Sequence, residues 1–121
     1  MSEVKKIATR DSYGNALVEL AQNGADNLVV LDADLAAATK TGTFKKAFPE
    51  RHFNCGIAEC NMIGVAAGMS AVGMVPYCHT FGCFATRRCL DQIFVSAAFV
   101  CVEYNPQKAV HINKGRCLIR H

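Results

Sequence analysis

The spacing of hydrophobic positions predicts that helices and short strands alternate along the first hundred residues. Apolar residues at helical spacing over 13–21 predict a first helix, which Asp11 or Ser12 would cap. Its inward residues are expected to be Tyr13, Ala16, Leu17, Leu20 and Ala21. The apolar run 28–31, which ends at Asp32, is typical of a strand that is covered on both faces of a parallel sheet.

The same alternation continues further along the chain. Residues 43–48 favour a short helix that Pro49 would stop, and residues 52–55 favour a second short strand. Residues 74–79 predict a third strand. Because helices alternate with strands, the expected fold is α/β, with an open, mostly parallel sheet and flanking helices.

Two longer helices complete the pattern. The first covers about 58–72, and its inward face is expected to hold Met62, Val65, Ala66, Met69 and Val72. Gly64 and Gly68 fall one turn apart on this helix, which would let a neighbouring backbone approach closely. The second helix covers 84–99, with Leu90, Ile93 and Phe94 expected inward.

In open parallel sheets, chemistry collects in the loops at the carboxyl ends of the strands. Here these loops are 32–34, 56–59 and 80–84, which supply carboxylates and aromatic rings beside glycines. Each candidate also has a purely structural explanation. Asp34 would serve as a helix cap, Glu59 as a first-turn residue favoured by the helix dipole, and Phe81 and Phe84 as core.

Composition narrows the class of protein. A chain of 121 residues, 51% hydrophobic and 19% charged, suits one domain over 1–121. Its apolar runs are too short to span a membrane, and a net charge of +3 gives no argument for nucleic-acid binding. The N-terminal residues do not resemble a secretory signal, so a cytoplasmic location is expected.

The seven cysteines form no C-x-x-C pair, so we expect reduced, buried thiols rather than a disulfide framework. A thiol-based metal or redox site built from Cys78, His79, Cys83 and Cys89 is an alternative, although these spacings fit no standard site.

Two of the loops carry a specific pattern. The segment GIAECNM at 56–62 is followed by a helix rich in small residues and then by TFGCF at 80–84. This order and spacing resemble the pyrimidine-binding domain of transketolases, above all the split form in which two polypeptides share the enzyme. Deoxyxylulose-phosphate synthase has a similar domain. The resemblance covers about residues 9–96 and implies a thiamine-diphosphate-binding fold, with the present chain supplying an incomplete pyrimidine-binding domain.

The resemblance assigns roles to four residues. Glu59 matches the catalytic glutamate, which shares a proton with the aminopyrimidine ring of thiamine diphosphate. Phe84 matches the ring that stacks on the pyrimidine, and Phe81 matches its neighbour in the pocket wall. Asp34 matches an acidic residue near the cofactor. For Glu59 to act in this way, we expect burial among Ile57, Ala58 and Met62 to raise its pKa.

The resemblance also implies thiamine diphosphate and Mg²⁺ as cofactors, with a two-carbon ketol unit moved between sugar phosphates in the pentose phosphate pathway. The family holds the diphosphate and the metal through a G-D-G motif, and this chain contains no Gly-Asp dipeptide. We therefore expect no metal ligands here, and a homo- or hetero-oligomer in which a partner chain, the diphosphate-binding subunit, completes the site. Ala38 replaces a family serine that contacts the sugar phosphate, so that contact is lost or has moved to Thr39 or Lys40.

The resemblance ends after about residue 96, so we expect a truncated domain followed by a divergent tail over 97–121. This tail is either a genuine ending or a shifted reading frame. A second function therefore stays open, namely a noncatalytic dimerisation module. The pattern at Glu59 and Phe84 favours the enzyme, whereas Ala38 and the tail favour the module.

Overall fold

A parallel sheet forms the centre of the fold. The computed structural model describes residues 7–99 and 111–113. Its strands are β1 (Leu28–Asp32), β2 (His52–Asn54), β3 (Val75–His79) and β4 (His111–Asn113), which lie in the order β2-β1-β3-β4. All three described strand pairs are parallel. The predicted α/β fold with an open parallel sheet is therefore confirmed.

Short helices connect and flank these strands. The α-helices are α1 (Thr9–Gln22), α2 (Ala36–Thr39), α3 (Gly42–Ala47), α4 (Glu59–Ala71) and α5 (Leu90–Gln92). A 3-10 turn covers Pro49–Arg51, and two π-helical segments cover Phe84–Arg88 and Ile93–Phe99.

Strand β1 is buried along its whole length and divides the core into two halves. On one side, Leu28 and Val30 pack with residues of α1 and α3, among them Leu17 and Phe44. On the other side, Val29, Leu31 and Ala33 pack with a second cluster, which holds Met62, Ile63, Ala66, Ala67, Cys78, Cys89 and Ala97. Because side chains alternate along a strand, one apolar run serves both halves of the core.

The start of α1 differs from the prediction. The helix begins at Thr9, before both predicted caps, and Ala8 precedes it without a side-chain cap. Leu20, expected inward, is 48% exposed. The cause is close packing at Gly14, where an added Cβ would lie 2.6 Å from the carbonyl oxygen of Lys40. The face that contains Gly14 is therefore the one that packs, and Leu20 is turned outward.

Helix α4 buries Met62 and Ala66 as predicted, and Met69 packs partly buried against the same core, but the rest of its buried face differs from the prediction. Its buried residues are Glu59, Met62, Ile63, Ala66, Ala67 and Ser70. Val65 and Val72, expected inward, are 37% and 78% exposed. The buried face is centred on Met62, Ile63, Ala66 and Ala67, and both valines lie outside it. An added Cβ at Gly64 or Gly68 meets nothing within 4 Å, so that side of α4 is open.

The predicted helix over 84–99 is interrupted by wide turns. Its two π-helical segments flank the single turn of α5. Consequently Leu90 and Phe94, expected inward, are 62% and 72% exposed, and Ile93 is half-buried. The buried residues here are Ala85, Cys89 and Ala97, because the π-helical geometry changes which positions face α4.

Strand β4 lies within the predicted tail 97–121 and pairs with β3, so that Tyr77 lies beside His111. Most of that tail is outside the described residues, and both the single domain over 1–121 and its divergent end stay predictions. Across the described part of the chain, no helix is both long and apolar enough for a membrane span.

Candidate functional site

The three predicted loops begin at one edge of the sheet. In the strand register, Asp32 lies beside Asn54 on one side and beside His79 on the other. The segments that follow β1, β2 and β3 therefore start next to each other. This is the arrangement expected for a parallel sheet.

Buried Asp32 organises the first loop. Its Oδ1 accepts a hydrogen bond from the backbone N–H of Leu35, and its Oδ2 accepts bonds from the hydroxyls of Thr39 and Thr41 at 3.1 and 2.8 Å. A buried carboxylate needs such donors, since burial without them is costly. Asp32 thus fixes the shape of the loop up to residue 41.

These contacts bear on the expected substrate residues. The Thr39 hydroxyl also lies 2.9 Å from the carbonyl oxygen of Leu35, so its single proton is shared between acceptors within the loop. Lys40 pairs with Asp11 at 3.7 Å, and both side chains are more than 40% exposed. The structure therefore brings neither Thr39 nor Lys40 into contact with the other candidate site residues.

Asp34 lies in the left-handed region, with φ of 61°, and is exposed. Its backbone N–H donates to Asn54 Oδ1, and its Oδ1 accepts from Asn54 Nδ2, both at 3.1 Å. Asn54 Oδ1 also accepts from the N–H of Gly56 at 2.9 Å. Asp34 is therefore not a helix cap, because the cap position of α2 is Leu35. The side chains of Asp34 and Asn54 together join the loop after β1 to the loop after β2. The sequence did not indicate this role of Asn54.

Glu59 is the first residue of α4 and is only 3% exposed. Its Oε2 accepts a hydrogen bond from Arg88 Nη1 at 2.9 Å, which makes an ion pair. The Arg88 side chain is 47% exposed. One end of this pair is thus buried, whereas the other reaches solvent.

The same guanidinium lies over an aromatic ring. The central carbon of Arg88 is 4.2 Å from the centroid of the Phe84 ring, a cation–π contact. The rings of Phe84 and Phe81 are 6.2 Å apart, centroid to centroid. Phe81 is exposed and Phe84 half-buried, so the core interpretation of Phe81 was wrong. Glu59, Phe84 and Phe81 therefore form one cluster through Arg88, and Asp34 lies outside it.

The pKa of Glu59 is lowered, contrary to the expected rise. Burial by itself raises this pKa, but the hydrogen bond from its own backbone N–H, the bond and charge of Arg88 and a smaller contribution from Thr80 together outweigh burial. Ile57, expected to help bury the carboxyl, is 79% exposed. In this structure Glu59 is therefore a carboxylate at neutral pH.

Arg88 is the site residue that the sequence did not identify. The π-helical segment Phe84–Arg88 places these two residues one wide turn apart. The carbonyl oxygen of Arg88 accepts a hydrogen bond from Cys60 Sγ at 3.2 Å, which ties this turn to the start of α4. Its neighbour Arg87 is also exposed, and Arg88 is the one of the two that pairs with Glu59.

The described cysteines are Cys55, Cys60, Cys78, Cys83 and Cys89, all free thiols. Cys78 and Cys89 are buried, as expected, and burial raises the pKa of Cys89 to about 11. Cys83, however, is exposed. Within residues 7–99 and 111–113, no group of three His, Cys, Asp or Glu side chains is placed to hold a metal ion, so the thiol-metal alternative gains no support.

Comparison with known proteins shows the family. Residues 5–102 match the family described as "Transketolase, pyrimidine binding domain". The chain is 48% identical over 90 residues to the 6-deoxy-6-sulfo-D-fructose transketolase subunit SqwH of Clostridium sp. (strain MSTE9), covering 74% of this chain and 28% of that protein. It is 49% identical over 84 residues to a putative transketolase C-terminal section of Methanocaldococcus jannaschii, covering 69% and 26%.

A more distant relative and a solved structure also match transketolases. Human transketolase is 43% identical over 93 residues, which are 76% of this chain and 15% of that enzyme. A solved structure titled "Split gene transketolase, inactive beta4 tetramer" superposes with a TM-score of 0.74 at 50% identity, covering 91% of this chain and 34% of that one. The present chain thus spans about a third or less of these relatives. Both the match over residues 5–102 and the superposition confirm the predicted family, and the chain belongs to the transketolases as a pyrimidine-binding domain.

Proposed function

We propose that this domain forms the pyrimidine half of the thiamine diphosphate site in a split transketolase. The complete enzyme would move a two-carbon ketol unit between sugar phosphates. One relative is named for 6-deoxy-6-sulfo-D-fructose, so the donor and acceptor sugars of this chain are left open.

One observation carries the proposal. The buried Glu59 carboxylate and the Phe84 ring hold a planar, hydrogen-bond-donating group, the Arg88 guanidinium, by an edge contact of 2.9 Å and a face contact of 4.2 Å. An aminopyrimidine is likewise planar and presents nitrogen atoms at its edge and a π-face. The residues present therefore fit the pyrimidine part of the cofactor.

In this proposal each residue has a distinct task. Glu59 holds and shares a proton at a ring nitrogen, since a buried carboxyl can tune such a proton transfer. Phe84 fixes the plane of the ring by stacking, and Phe81 extends the apolar wall beside it. Asp34, bonded to Asn54, shapes the neighbouring loop. When bound, thiamine diphosphate supplies the carbon nucleophile that accepts and releases the two-carbon unit.

The diphosphate and Mg²⁺ are assigned to a partner chain, the diphosphate-binding transketolase subunit. The sequence has no Gly-Asp dipeptide and no other glycine-rich phosphate loop. The titles of relatives, which include "subunit", "C-terminal section" and "split gene", support a divided enzyme. The free thiols of the described residues agree with a reducing compartment, so the proposal places the oligomer in the cytoplasm. Its proposed reaction belongs to the pentose phosphate pathway because of the family match, which is to transketolases.

The test combines the chain with a diphosphate-binding transketolase subunit and measures cofactor affinity and turnover. Glu59→Gln should leave affinity within a few-fold and reduce turnover by about a hundredfold or more, because an amide keeps the shape but cannot share the proton. The matched control is Glu50→Gln, because Glu50 is exposed on the turn before β2, away from the site. Near-normal turnover of Glu59→Gln would refute the role of Glu59.

Phe84→Ala should act on binding first, because it removes the stacking surface. We expect about a tenfold loss of cofactor affinity, within the range of aromatic stacking energies. Phe53→Ala is the control, since Phe53 is a partly exposed ring on β2 and lies outside the cluster. Equal losses from both substitutions would argue against a stacking role for Phe84.

A noncatalytic dimerisation module is the second candidate. Exposed Leu90, Phe94 and Val95 (62%, 72% and 61%) favour it, because such residues suit a subunit contact. The module predicts a stable complex with the diphosphate-binding subunit and no turnover by wild type. Turnover that is lost in Glu59→Gln excludes it.

A further inference from the structure

Arg88 makes within the chain the two contacts that the proposed function assigns to a bound aminopyrimidine. Its Nη1 donates to Glu59 Oε2 at 2.9 Å, and its guanidinium lies 4.2 Å from the centroid of the Phe84 ring. A guanidinium is planar, delocalised and edged with N–H donors. It is therefore a chemical counterpart of the aminopyrimidine edge and face.

We propose that Arg88 is a displaceable internal ligand, which fills the pyrimidine position of this domain and leaves it when the cofactor ring binds. This inference rests on the proposed function and adds a regulation of the same site. Glu59 and Phe84 cannot offer the same edge and face to both groups, so the ring and the guanidinium exclude each other.

The geometry makes such an exchange feasible. The Arg88 side chain is 47% exposed, so its guanidinium can move into water without crossing packed core. The main chain at this position is held independently, because the Arg88 carbonyl oxygen accepts the bond from Cys60 Sγ. Only the side chain has to rotate, and the turn that carries Phe84 stays in place.

Glu59 explains why the position is filled. The carboxylate is 3% exposed, and a buried carboxylate without a donor is strongly unfavourable. Arg88 supplies that donor when no ligand does. When the ring arrives, one proton is taken up from water between Glu59 and the ring nitrogen that faces it. The resulting hydrogen bond replaces the bond from Arg88, so the exchange leaves Glu59 paired in both states.

The alternative is that Arg88 is a permanent clamp, which orients Glu59 while the ring binds beside it. The two roles predict opposite effects of removing the guanidinium. A competing ligand weakens binding of the ring, so its removal strengthens binding. A clamp supports binding, so its removal weakens it.

The experiment uses the full chain and 4-amino-5-hydroxymethyl-2-methylpyrimidine, the pyrimidine half of thiamine, which needs no diphosphate site. Binding is followed by NMR titration into the millimolar range for wild type, Arg88→Gln and Arg88→Lys. We expect Arg88→Gln to bind the pyrimidine about tenfold more tightly than wild type, the factor set by loss of one charge-assisted hydrogen bond. Arg88→Lys keeps the charge but not the planar fork, so its affinity should lie between the two.

Two controls complete the design. Arg87→Gln removes the exposed neighbouring charge and should bind like wild type, which separates displacement from a general effect of charge. Methylguanidinium should compete with the pyrimidine in Arg88→Gln, because it restores the missing group. Thermal unfolding checks that each variant is folded. If Arg88→Gln does not fold, the comparison with wild type is made with Arg88→Lys instead.

The outcomes separate the two proposals. Pyrimidine binding by wild type that equals or exceeds that of both Arg88 variants overturns the displacement and leaves the proposed function standing. Binding by none of the chains overturns the displacement, because removal of the guanidinium then frees no site for the ring, whereas the proposed function is decided by turnover of the reconstituted complex. Tighter binding by Arg88→Gln supports the displacement, and the role of Glu59 is decided separately by the turnover of Glu59→Gln in the reconstituted complex.

Discussion

We expect acid to destabilise this domain through His79, at the end of β3. The side chain is 2% exposed. Its Nδ1 lies 3.2 Å from the carbonyl oxygen of Leu31 and its Nε2 lies 3.0 Å from the hydroxyl of Tyr13. A neutral imidazole satisfies both contacts, because Nδ1–H donates to the carbonyl and Nε2 accepts from the hydroxyl. A second proton would force the Tyr13 hydroxyl to turn away or accept instead.

The surroundings lower the pKa of His79 to about 4. Burial is the main cause and nearby His52 adds to it, whereas the charge of Asp32 and bonds to the backbone of Leu31 and Tyr77 oppose it. Unfolded histidine titrates near 6.5, so between these values the unfolded chain binds a proton that the folded chain does not. The free energy of unfolding is therefore highest above pH 6.5, and it decreases as the pH is lowered from 6.5 to about 4. At about 1.4 kcal/mol per pH unit, the loss is about 3 kcal/mol.

Urea unfolding followed by far-UV circular dichroism measures this, since the chain has no tryptophan. The comparison is between about pH 7.5 and about pH 4.5, because the lowered pKa of Glu59 causes its own loss of stability only below that range. Burial also lowers the pKa of His52, so His52 adds a fall in this range that remains in His79→Asn. His79→Asn can still donate to Leu31 but does not titrate. It should be less stable at neutral pH by about 1–2 kcal/mol and should lack most of the fall on acidification. Equal pH slopes for wild type and His79→Asn would refute the assignment.

Three further predictions concern packing and assembly. The chain alone should not bind thiamine diphosphate tightly in the presence of Mg²⁺, and low-micromolar binding in a calorimetric titration would show that no partner half is needed. Without a partner it should self-associate in light scattering, because Val65, Val72 and the open glycine side of α4 are exposed; a monomer at high concentration would contradict this. Gly14→Ala should lower the free energy of unfolding by about 1–3 kcal/mol, since its Cβ would lie 2.6 Å from the Lys40 carbonyl oxygen. Gly64→Ala, in open space, should instead raise it by up to about 1 kcal/mol, and equal effects in chemical denaturation would be inconsistent with this packing.

The strands and the meeting of the loops were predictable from local signals. The apolar run over 28–31 fits β1 because that strand is buried on both faces. Parallel pairing then brings the segments after Asp32, Asn54 and His79 to one edge, whatever the details of packing. For the same reason Glu59, in the loop after β2, could be placed near Phe84, in the loop after β3.

The helix faces and the ion pair were not predictable in the same way. An ideal helical period puts Leu90 and Phe94 inward, but π-helical turns shift the positions that face α4, and their occurrence depends on packing between distant segments. The contact of Arg88 with Glu59 joins residues 29 positions apart through one such turn. The sequence could indicate a charge near the site but not which of two consecutive arginines would reach the carboxylate.

The proposed exchange accounts for both directions of the Glu59 pKa, a rise expected from burial alone and a fall when Arg88 is in place. Burial is the largest influence on this carboxyl and acts upward, and the bond and charge of Arg88 are among the influences that reverse it. Arg88→Gln should therefore raise the pKa of Glu59, leaving its backbone N–H and Thr80 to oppose burial. A pH titration of the Glu59 carboxyl ¹³C shift in wild type and Arg88→Gln measures this, with Arg87→Gln as the control. An unchanged or lower value in Arg88→Gln would show that Arg88 does not hold Glu59 in its charged form. An upward shift means that the Arg88 guanidinium is what keeps this carboxyl charged when no ligand is bound.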